Sequence, residues 1–276
     1  MKNKEDIKSW TKLGFLGPKG TFSHQAALRI FPEYNLIPFE TIKDVFDGVI
    51  DQKIDLGVVP AENTIGGIVS ETINKLIKHP LEVTGSFDIP IHHCLLGMVK
   101  DMKELKVIKS HKQALSQCSD WLEGNLPKVK LESAPSTTSP IADGDGETGF
   151  IASEVAAEEY SLNILARNIE STKDNISKFY VIANEINEKI QRKLKSERTL
   201  ILFAVQDRIG ILRDILDVFA KKEINLSSLH SIPSRLRPWD YFFFTEAQIP
   251  LSSSKLKGIL KELEKYCQMI RVIGAS

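Results

Sequence analysis

The chain is poor in cysteine, has no excess charge of either sign and contains no long apolar run. Only Cys94, Cys118 and Cys267 occur among its 276 residues, and their wide spacing argues against a disulfide framework and against a structural zinc site. Its 36 basic residues balance its 36 acidic residues, so we expect neither a nucleic-acid partner nor a membrane partner. The expected ligand is therefore a small molecule.

Signals for export, for membrane insertion and for common catalytic centres are also missing. Residues 1–12 are charged and lack the apolar core of a signal peptide, and no apolar run approaches membrane-spanning length. The six histidines show no pairing at metal-ligand spacing, and no Ser-His-Asp order or Cys-His pair stands out. We therefore expect a cytoplasmic protein without a metal site.

The first third of the chain does contain short apolar strands, each followed by a polar turn and a helix. A strand at 13–16 leads into Gly17-Pro18-Lys19-Gly20-Thr21-Phe22-Ser23, and a strand at 56–60 ends at a proline. Residues 62–64, Glu-Asn-Thr, follow directly, and two glycines then open a predicted helix. In an open α/β sheet, ligands bind outside the carboxyl ends of the strands, so these polar side chains would lie in the crevice. The other interpretation, that the asparagine and threonine merely cap the helix, stays open for this stretch alone.

Two strands in succession, at 81–89 and 91–99, predict a crossover into a second lobe. Strands and helices, including a helix at 114–122, continue to alternate up to residue 183, so two α/β lobes would leave a cleft between them. Residues 184–198 are rich in charge and poor in large apolar side chains, as is typical of a linker. Beyond them the order βαββαβ predicts a ferredoxin-like domain.

A hydroxyl and an ammonium group stand side by side in Asn175-Ile176-Ser177-Lys178-Phe179, just ahead of a strand predicted at 179–183. Such a pair could serve a substrate carboxylate and a leaving hydroxyl. A solvated loop is the other interpretation, and these five residues alone favour it. Together with the other polar turns they offer hydroxyls, amides, one carboxylate and one cation, which suit the binding of a polar acid.

Taken together, these motifs resemble those of prephenate dehydratases that carry a C-terminal ACT regulatory domain, and the resemblance spans nearly the whole chain. It rests on Gly17-Pro18-Lys19-Gly20-Thr21-Phe22-Ser23-His24, Pro60-Ala61-Glu62-Asn63-Thr64-Ile65-Gly66-Gly67, His93-Cys94-Leu95-Leu96, Ser110-His111-Lys112-Gln113-Ala114-Leu115, Ser136-Thr137 and residues 175–179. In the last part of the chain, Gly210-Ile211-Leu212 and Asn225-Leu226 are similar to the first effector motif and the following strand of an ACT domain.

The resemblance implies an α/β catalytic domain of two lobes, similar to periplasmic binding proteins, over residues 12–184. A linker at 185–197 and a ferredoxin-like ACT domain at 198–276 would follow. The implied enzyme is a carbon–oxygen lyase of L-phenylalanine biosynthesis, which converts prephenate to phenylpyruvate with loss of carbon dioxide and water and needs no cofactor.

The resemblance also implies roles for individual residues. Ser177 would protonate or hydrogen-bond the departing hydroxyl, and Lys178 would hold a carboxylate. The implied substrate-binding residues are Thr21, Ser23, Glu62, Asn63, Thr64, Gly66, Ser136, Thr137, Asn175 and Phe179. L-Phenylalanine would act as an allosteric effector between paired ACT domains of a homodimer or homotetramer, bound by Gly210, Ile211, Leu212, Asn225, Leu226, His230, Ser231, Ile232 and Pro233.

Departures from the family pattern qualify these expectations. Ser177 and Lys178 stand where the family has threonine and arginine, which keeps a hydroxyl and a charge but removes bidentate carboxylate binding. His230 and Ile232 replace a glutamate and an arginine, so we expect weaker phenylalanine binding. The alternatives are decarboxylation of prephenate without aromatisation, dehydration of arogenate, and a non-catalytic sensor of small acids.

Overall fold

The computed structural model describes residues 11–205, 208–233 and 241–276, so most of the charged segment 1–12 lies outside the described residues. The chain forms two compact units. The first ends at Thr72 and resumes over Asp88–Phe179, and the second consists of Ile73–Phe87 and Tyr180–Ser276. Within the described residues, every helix is too short or too polar to span a bilayer.

The strands are β1 Lys12–Leu16, β2 Asn35–Phe39, β3 Leu56–Asn63, β4 Gly67–Ile68, β5 Glu82–Pro90, β6 Cys94–Gly97, β7 Val107–His111, β8 Lys130–Ala134, β9 Thr148–Ala152, β10 Asn163–Ala166, β11 Ile176–Ala183, β12 Thr199–Val205, β13 Leu226–Pro233, β14 Tyr241–Ala247 and β15 Cys267–Ala275. The α-helices are α1 Phe22–Ile30, α2 Ile42–Ile50, α3 Ser70–Lys78, α4 Lys112–Gln117, α5 Ser119–Asn125, α6 Glu154–Glu159, α7 Glu188–Leu194, α8 Ile211–Lys221 and α9 Ser254–Leu263.

The first lobe of unit 1 is built on parallel pairing of β1 with β2 and with β3. Leu13 and Phe15 of β1 and Val58 and Val59 of β3 are fully buried, which is why these runs are continuously apolar. Helix α2 begins with a capping box in which Thr41 and the residue three positions later bond each other's backbone amide. The predicted strand–turn–helix pattern is therefore confirmed for this lobe.

The end of β3 differs from the sequence prediction in two respects. The strand does not stop at Pro60 but continues to Asn63, and Gly67–Ile68 turns back as β4 to pair with it in antiparallel fashion. Helix α3 begins only at Ser70, so the prediction that the two glycines open it was wrong. The reason is local: Gly67 has φ of +74°, which allows a tight reversal at that point.

The second lobe of unit 1 is a five-stranded sheet of order β10-β6-β9-β7-β8. Two predictions were wrong in extent. The strand predicted at 91–99 covers only Cys94–Gly97, because the Ile91 amide donates to the Asn175 carbonyl and the His93 amide to the Glu170 carboxylate. The helix predicted at 114–122 is divided into α4 and α5 at Cys118, whose backbone leaves the helical conformation.

Unit 2 contains the predicted βαββαβ order in β12, α8, β13, β14, α9 and β15. The four strands are antiparallel in the order β13-β14-β12-β15, and both helices share a core with the sheet, in which Phe203, Ile215, Phe219 and Ile259 are fully buried or nearly so. The ferredoxin-like prediction is confirmed. The segment predicted as a linker contains α7.

Candidate active site

A cleft of about 310 Å³ opens within unit 1, and residues from both lobes line it. Several lining residues follow the carboxyl ends of β1, β7 and β8, and others come from the end of β3, from α4 and from β11. The described side chains that line it include no Lys, Arg, Asp or Glu. The lining residues are Leu16, Gly17, Thr21, Phe22, Ser23, Pro60, Asn63, Ile91, His93, His111, Gln113, Ala114, Gln117, Pro135, Ser136, Thr137, Asn175, Ser177 and Phe179.

The turn after β1 is held in a fixed shape. Thr21 caps α1, accepting from the His24 amide at 3.3 Å and directing its own hydroxyl to the Pro18 carbonyl at 2.9 Å. The Gly20 amide donates to His24 Nδ1 at 3.0 Å, and the Ser153 hydroxyl donates to the Gly20 carbonyl at 2.6 Å. Burial lowers the pKa of His24, which favours the neutral ring that this acceptor role requires. The turn after β1 is therefore held in one shape by its own hydrogen bonds.

Asn63 occupies the tip of the β3–β4 hairpin and is fixed by the backbone around it. Its Oδ1 accepts from the amides of Ile65 at 3.0 Å and Gly66 at 2.8 Å. Its Nδ2 faces the opposite way, towards Asn175 Oδ1 at 2.6 Å and Ser177 Oγ at 2.9 Å. Because Oδ1 can only accept and Nδ2 can only donate, Ser177 Oγ is the acceptor of its bond with Asn63.

Strand β11 begins earlier than predicted, at Ile176, and this start places the two candidate catalytic residues, Ser177 and Lys178, on opposite faces of the strand. Successive side chains of a strand point to opposite faces, and Asn175, Ser177 and Phe179 line the cleft whereas Ile176 and Lys178 do not. The described part of the chain offers no acceptor for the Ser177 hydroxyl proton. That proton is available to a bound molecule.

A buried polar chain continues from Asn175 into the second lobe. Asn175 is 1 % exposed and donates from Nδ2 to Gln117 Oε1 at 3.2 Å, and His93 Nε2 lies 2.8 Å from the same oxygen. Burial lowers the pKa of His93, so its ring is neutral near pH 7. Its Nδ1 is buried and has no partner among the described residues. Four hydrogen bonds, which pass through Gln117, Asn175 and Asn63, thus connect His93 to Ser177.

The structure brings many of the predicted substrate-binding residues together and leaves others outside the cleft. Thr21, Ser23, Asn63, Ser136, Thr137, Asn175, Ser177 and Phe179 line it. Thr64 instead bridges the Asp174 carbonyl and the Ile176 amide, and Glu62 pairs with Ile68 in the hairpin. Gly66 and Lys178 also lie outside the lining.

Sequence reasoning assigned no site role to four polar lining residues: His93, His111, Gln113 and Gln117. The signal for Gln113 and Gln117 was present, because residues four apart share a helix face and the first belongs to the motif at 110–115. The contact between His93 and Gln117 joins distant parts of the chain, and no local pattern indicates it.

The predicted effector residues lie in unit 2. Gly210 has φ of +80° and precedes α8, whose first residue, Ile211, is buried. Asn225 and Leu226 precede and begin β13. His230, Ser231, Ile232 and Pro233 end that strand, with Ile232 buried and Ser231 and Pro233 exposed.

The two-lobed α/β unit, with a cleft of hydroxyl, amide and imidazole groups, is suited to binding a small polar acid through hydrogen bonds. The chain belongs to the prephenate dehydratase family: residues 13–187 match prephenate dehydratase, and residues 199–265 match the ACT domain. It is 42% identical over 270 residues to a bifunctional chorismate mutase/prephenate dehydratase of Aquifex aeolicus, covering 96% of this chain and 73% of that protein.

Two further comparisons agree with this family. The chain is 31% identical over 283 residues to arogenate dehydratase/prephenate dehydratase 1, chloroplastic, of Arabidopsis thaliana, covering 96% of this chain and 72% of that protein. A crystal structure of prephenate dehydratase from Arthrobacter aurescens in complex with L-Phe has a TM-score of 0.84 and 25% identity, covering 96% of this chain and 89% of that one. The predicted family, fold class and enzymatic activity are confirmed.

Proposed function

We propose that the cleft of unit 1 binds prephenate and that Ser177 donates a hydrogen bond to the hydroxyl that leaves. In the reaction, the bond to the ring carboxylate breaks, carbon dioxide departs and the electron pair moves into the ring. The carbon–oxygen bond breaks as that pair completes the aromatic ring, the departing hydroxyl takes up one proton from the solvent and leaves as water, and phenylpyruvate remains.

The observation that supports this role for Ser177 is the direction of its bond with Asn63. Asn63 Nδ2 donates to Ser177 Oγ at 2.9 Å, so the Ser177 proton can be aimed at the departing oxygen. Since serine itself is a weak acid, hydrogen bonds arranged in advance supply most of the stabilisation, as donors aimed at developing negative charge typically do. Asn63 and Asn175 are positioning residues, Thr137 contributes a cleft hydroxyl, and Thr21 fixes the turn that follows β1.

Lys178 receives no substrate contact in this proposal. It follows Ser177 in a strand, points to the opposite face and does not line the cleft. The residue at the family's arginine position therefore lies outside the cleft lining in this chain.

The test is a comparison of Ser177→Ala with Lys178→Gln, which alter opposite faces of the same strand. Ser177→Ala should lower kcat for phenylpyruvate formation by at least about tenfold, the cautious end of general-acid contributions. Lys178→Gln should change kcat far less. Wild-type kcat in Ser177→Ala would remove this serine from the mechanism, and a larger loss in Lys178→Gln than in Ser177→Ala would reverse the assignment.

Arogenate is a second candidate substrate, named for the Arabidopsis relative. Arogenate carries an ammonium group where prephenate carries a keto group, and a buried ammonium requires a carboxylate partner. The described cleft lining holds no Asp or Glu, which favours prephenate. Incubation with each substrate, followed by analysis for phenylpyruvate, phenylalanine or a non-aromatic keto acid, separates these outcomes.

We further propose that the ACT domain binds L-phenylalanine in a homodimer or homotetramer, and that the protein is cytoplasmic. The complex of the Arthrobacter relative with L-Phe supports the effector, and the three free cysteines fit a reducing compartment. The division into residues 12–184, 185–197 and 198–276 is supported by family matches that stop at 187 and resume at 199.

A further inference from the structure

Unit 2 contains more than the ACT domain, because Ile73–Phe87 belongs to it as well. Helix α3 begins at Ser70 in unit 1 and continues through residues that belong to unit 2, so the chain passes from one unit to the other within this helix. We propose that Arg271 of β15 is an allosteric coupling residue, which transmits the binding of L-phenylalanine at the effector motif through α3 to the end of β3. This inference rests on the proposed function, because it takes phenylalanine as the effector.

Arg271 holds the end of α3 through three hydrogen bonds. Its Nη1 donates to the Leu76 carbonyl at 2.9 Å, and its Nη2 donates to the carbonyls of His79 at 2.9 Å and Leu81 at 3.0 Å. The last carbonyls of a helix have no partner within the helix, and a cation is favourable beside them. Because one guanidinium binds all three carbonyls, a displacement of β15 acts directly on the segment 76–81.

A row of paired residues connects Arg271 to the effector motif across the ACT sheet. His230 of β13 lies opposite Phe244 of β14. Phe244 lies opposite Leu202 of β12, which in turn lies opposite Arg271. Directly opposite residues share a face of the sheet, and this face is opposite to the one that α8 and α9 cover. Phe244 is 2 % exposed and Leu202 is 1 % exposed, so a displacement at His230 meets closely packed neighbours.

The first turn of α3 is attached to the strand that carries Asn63. The hydroxyl of Thr72, which is fully buried, donates to the Pro60 carbonyl at 2.6 Å. Pro60 lies on β3, three residues before Asn63, whose Nδ2 donates to Ser177 Oγ at 2.9 Å. A shift of α3 would therefore move the end of β3 and misalign the donor that holds Ser177.

Helix α3 is suited to connecting these two attachments. A helix of nine residues moves as a rigid element, and it is held near one end by Arg271 and near the other by Thr72. Coupling between two sites requires an element with two arrangements, of which the effector binds one more tightly than the other. Phenylalanine bound at the His230 end of the row would select one position of β15, and α3 would follow through Arg271.

The test compares Arg271→Met with the wild type. Methionine keeps an unbranched apolar stem but has no N–H for the three carbonyls. With saturating phenylalanine, established for each protein by calorimetry, kcat/KM for prephenate in the wild type should change at least about fivefold, the lower end of allosteric coupling. In Arg271→Met the change should be less than about twofold, with the kcat in the absence of phenylalanine unchanged. An equal response in the variant and the wild type would overturn the inference.

Arg192→Met is the matched control. Arg192 also belongs to unit 2, but among the described residues its guanidinium bonds only Glu188, one turn earlier in α7. The control should keep the full response to phenylalanine. A loss of response as large as that in Arg271→Met would mean that removing any arginine of unit 2 has this effect, which would also contradict the inference.

Thr72→Val tests the other attachment of α3 and decides the question if Arg271→Met does not fold. Valine has a similar shape but cannot donate to the Pro60 carbonyl, so the ratio of kcat/KM with and without phenylalanine should again be less than about twofold. A full response in Thr72→Val would show that the signal does not pass through this bond, and the proposed route would be wrong.

Hydrogen–deuterium exchange of the segment 70–81 is an independent measurement on α3 itself. Phenylalanine should change the exchange of this segment in the wild type and leave it unchanged in Arg271→Met. A wild type whose turnover responds to phenylalanine while this segment does not would exclude α3 as the connection.

Failure of the proposed function has a different signature. If the wild type binds no phenylalanine, the proposed effector is wrong and the inference fails with it. If the wild type binds phenylalanine and its turnover responds, but Arg271→Met responds equally, the proposed effector stands and only the role of Arg271 fails.

Discussion

The catalytic cleft and the effector motif of the ACT domain hold their polar side chains in opposite ways. In the cleft, His93, Gln117, Asn175 and Asn63 form a continuous set of hydrogen bonds of 2.6 to 3.2 Å that ends at Ser177. In the effector motif, the side chains of Asn225, His230 and Ser231 form no hydrogen bond with one another within the described residues.

This difference matches what each region has to do. A cleft that stabilises a transition state gains most when its donors are aimed beforehand, since no free energy is then spent on ordering them during the reaction. An effector site transmits a signal only if its ligand changes something, so side chains that become ordered on binding are an advantage there. We therefore expect substitutions in the polar chain to affect kcat, and substitutions in the effector motif to affect phenylalanine affinity.

The largest expected effect is that of Asn63→Asp. The new carboxylate would face the Asn175 Oδ1 and the Ile176 carbonyl without a proton to donate, and the Ser177 hydroxyl would turn to donate to it. Because the Ser177 hydroxyl would then donate to the new carboxylate and not to the substrate, kcat should fall by roughly 10²- to 10³-fold, the range for losing one preorganised donor. Phenylpyruvate formation measures this loss.

Thr64→Val is the control for Asn63→Asp, because Thr64 bridges the neighbouring loop outside the cleft. It should leave most of the activity in place, provided that circular dichroism shows an intact fold. A kcat in Asn63→Asp close to that of the wild type would contradict the view that the polar chain aims Ser177.

Much of the cleft could be predicted from the sequence because its donors follow strands. Thr21 lies in the turn that follows β1, Ser23 lies in the first turn of α1, and Asn63 ends β3. A polar residue just beyond a buried parallel strand is directed to the ligand edge of the sheet by the strand itself. Local sequence contains that information in full.

The face on which Lys178 lies could not be predicted in the same way. The sequence indicated a strand from Phe179, whereas β11 begins at Ile176, and this earlier start places the neighbours Ser177 and Lys178 on opposite faces. The start of β11 is set by a backbone bond across more than a hundred residues, in which the Thr64 amide donates to the Ile176 carbonyl. No pattern within the motif at 175–179 carries that information.

An intermediate effect is expected from Gly210→Val in the effector motif. Gly210 precedes α8 with φ of +80°, a conformation that a β-branched residue rarely adopts, so the turn that opens α8 should shift. We expect the calorimetric Kd for phenylalanine to rise at least about tenfold, equivalent to about 1.4 kcal/mol. The kcat without phenylalanine should not change.

Gly258→Ala is the control for Gly210→Val, because an added methyl group at Gly258 meets nothing within 4 Å. It should bind phenylalanine as the wild type does. Light scattering on the same samples should show a dimer or tetramer. Equal heats in Gly210→Val and the wild type would exclude this effector site, and a monomer would remove the interface on which it depends.

The smallest expected effect concerns acid stability, and it follows from the buried end of the polar chain. Burial lowers the pKa of His93, which is 2 % exposed, so the unfolded chain binds a proton near pH 6.5 that the folded chain does not. Stability is therefore complete above about pH 6.5 and falls as the pH drops below it, by at most about 1.4 kcal/mol at pH 5.5.

His93→Gln keeps an N–H donor for Gln117 but cannot titrate, so its unfolding free energy in urea should change less between pH 7.5 and 5.5. If His93→Gln and the wild type lost equal stability on acidification, the neutral histidine at the end of the polar chain would be excluded.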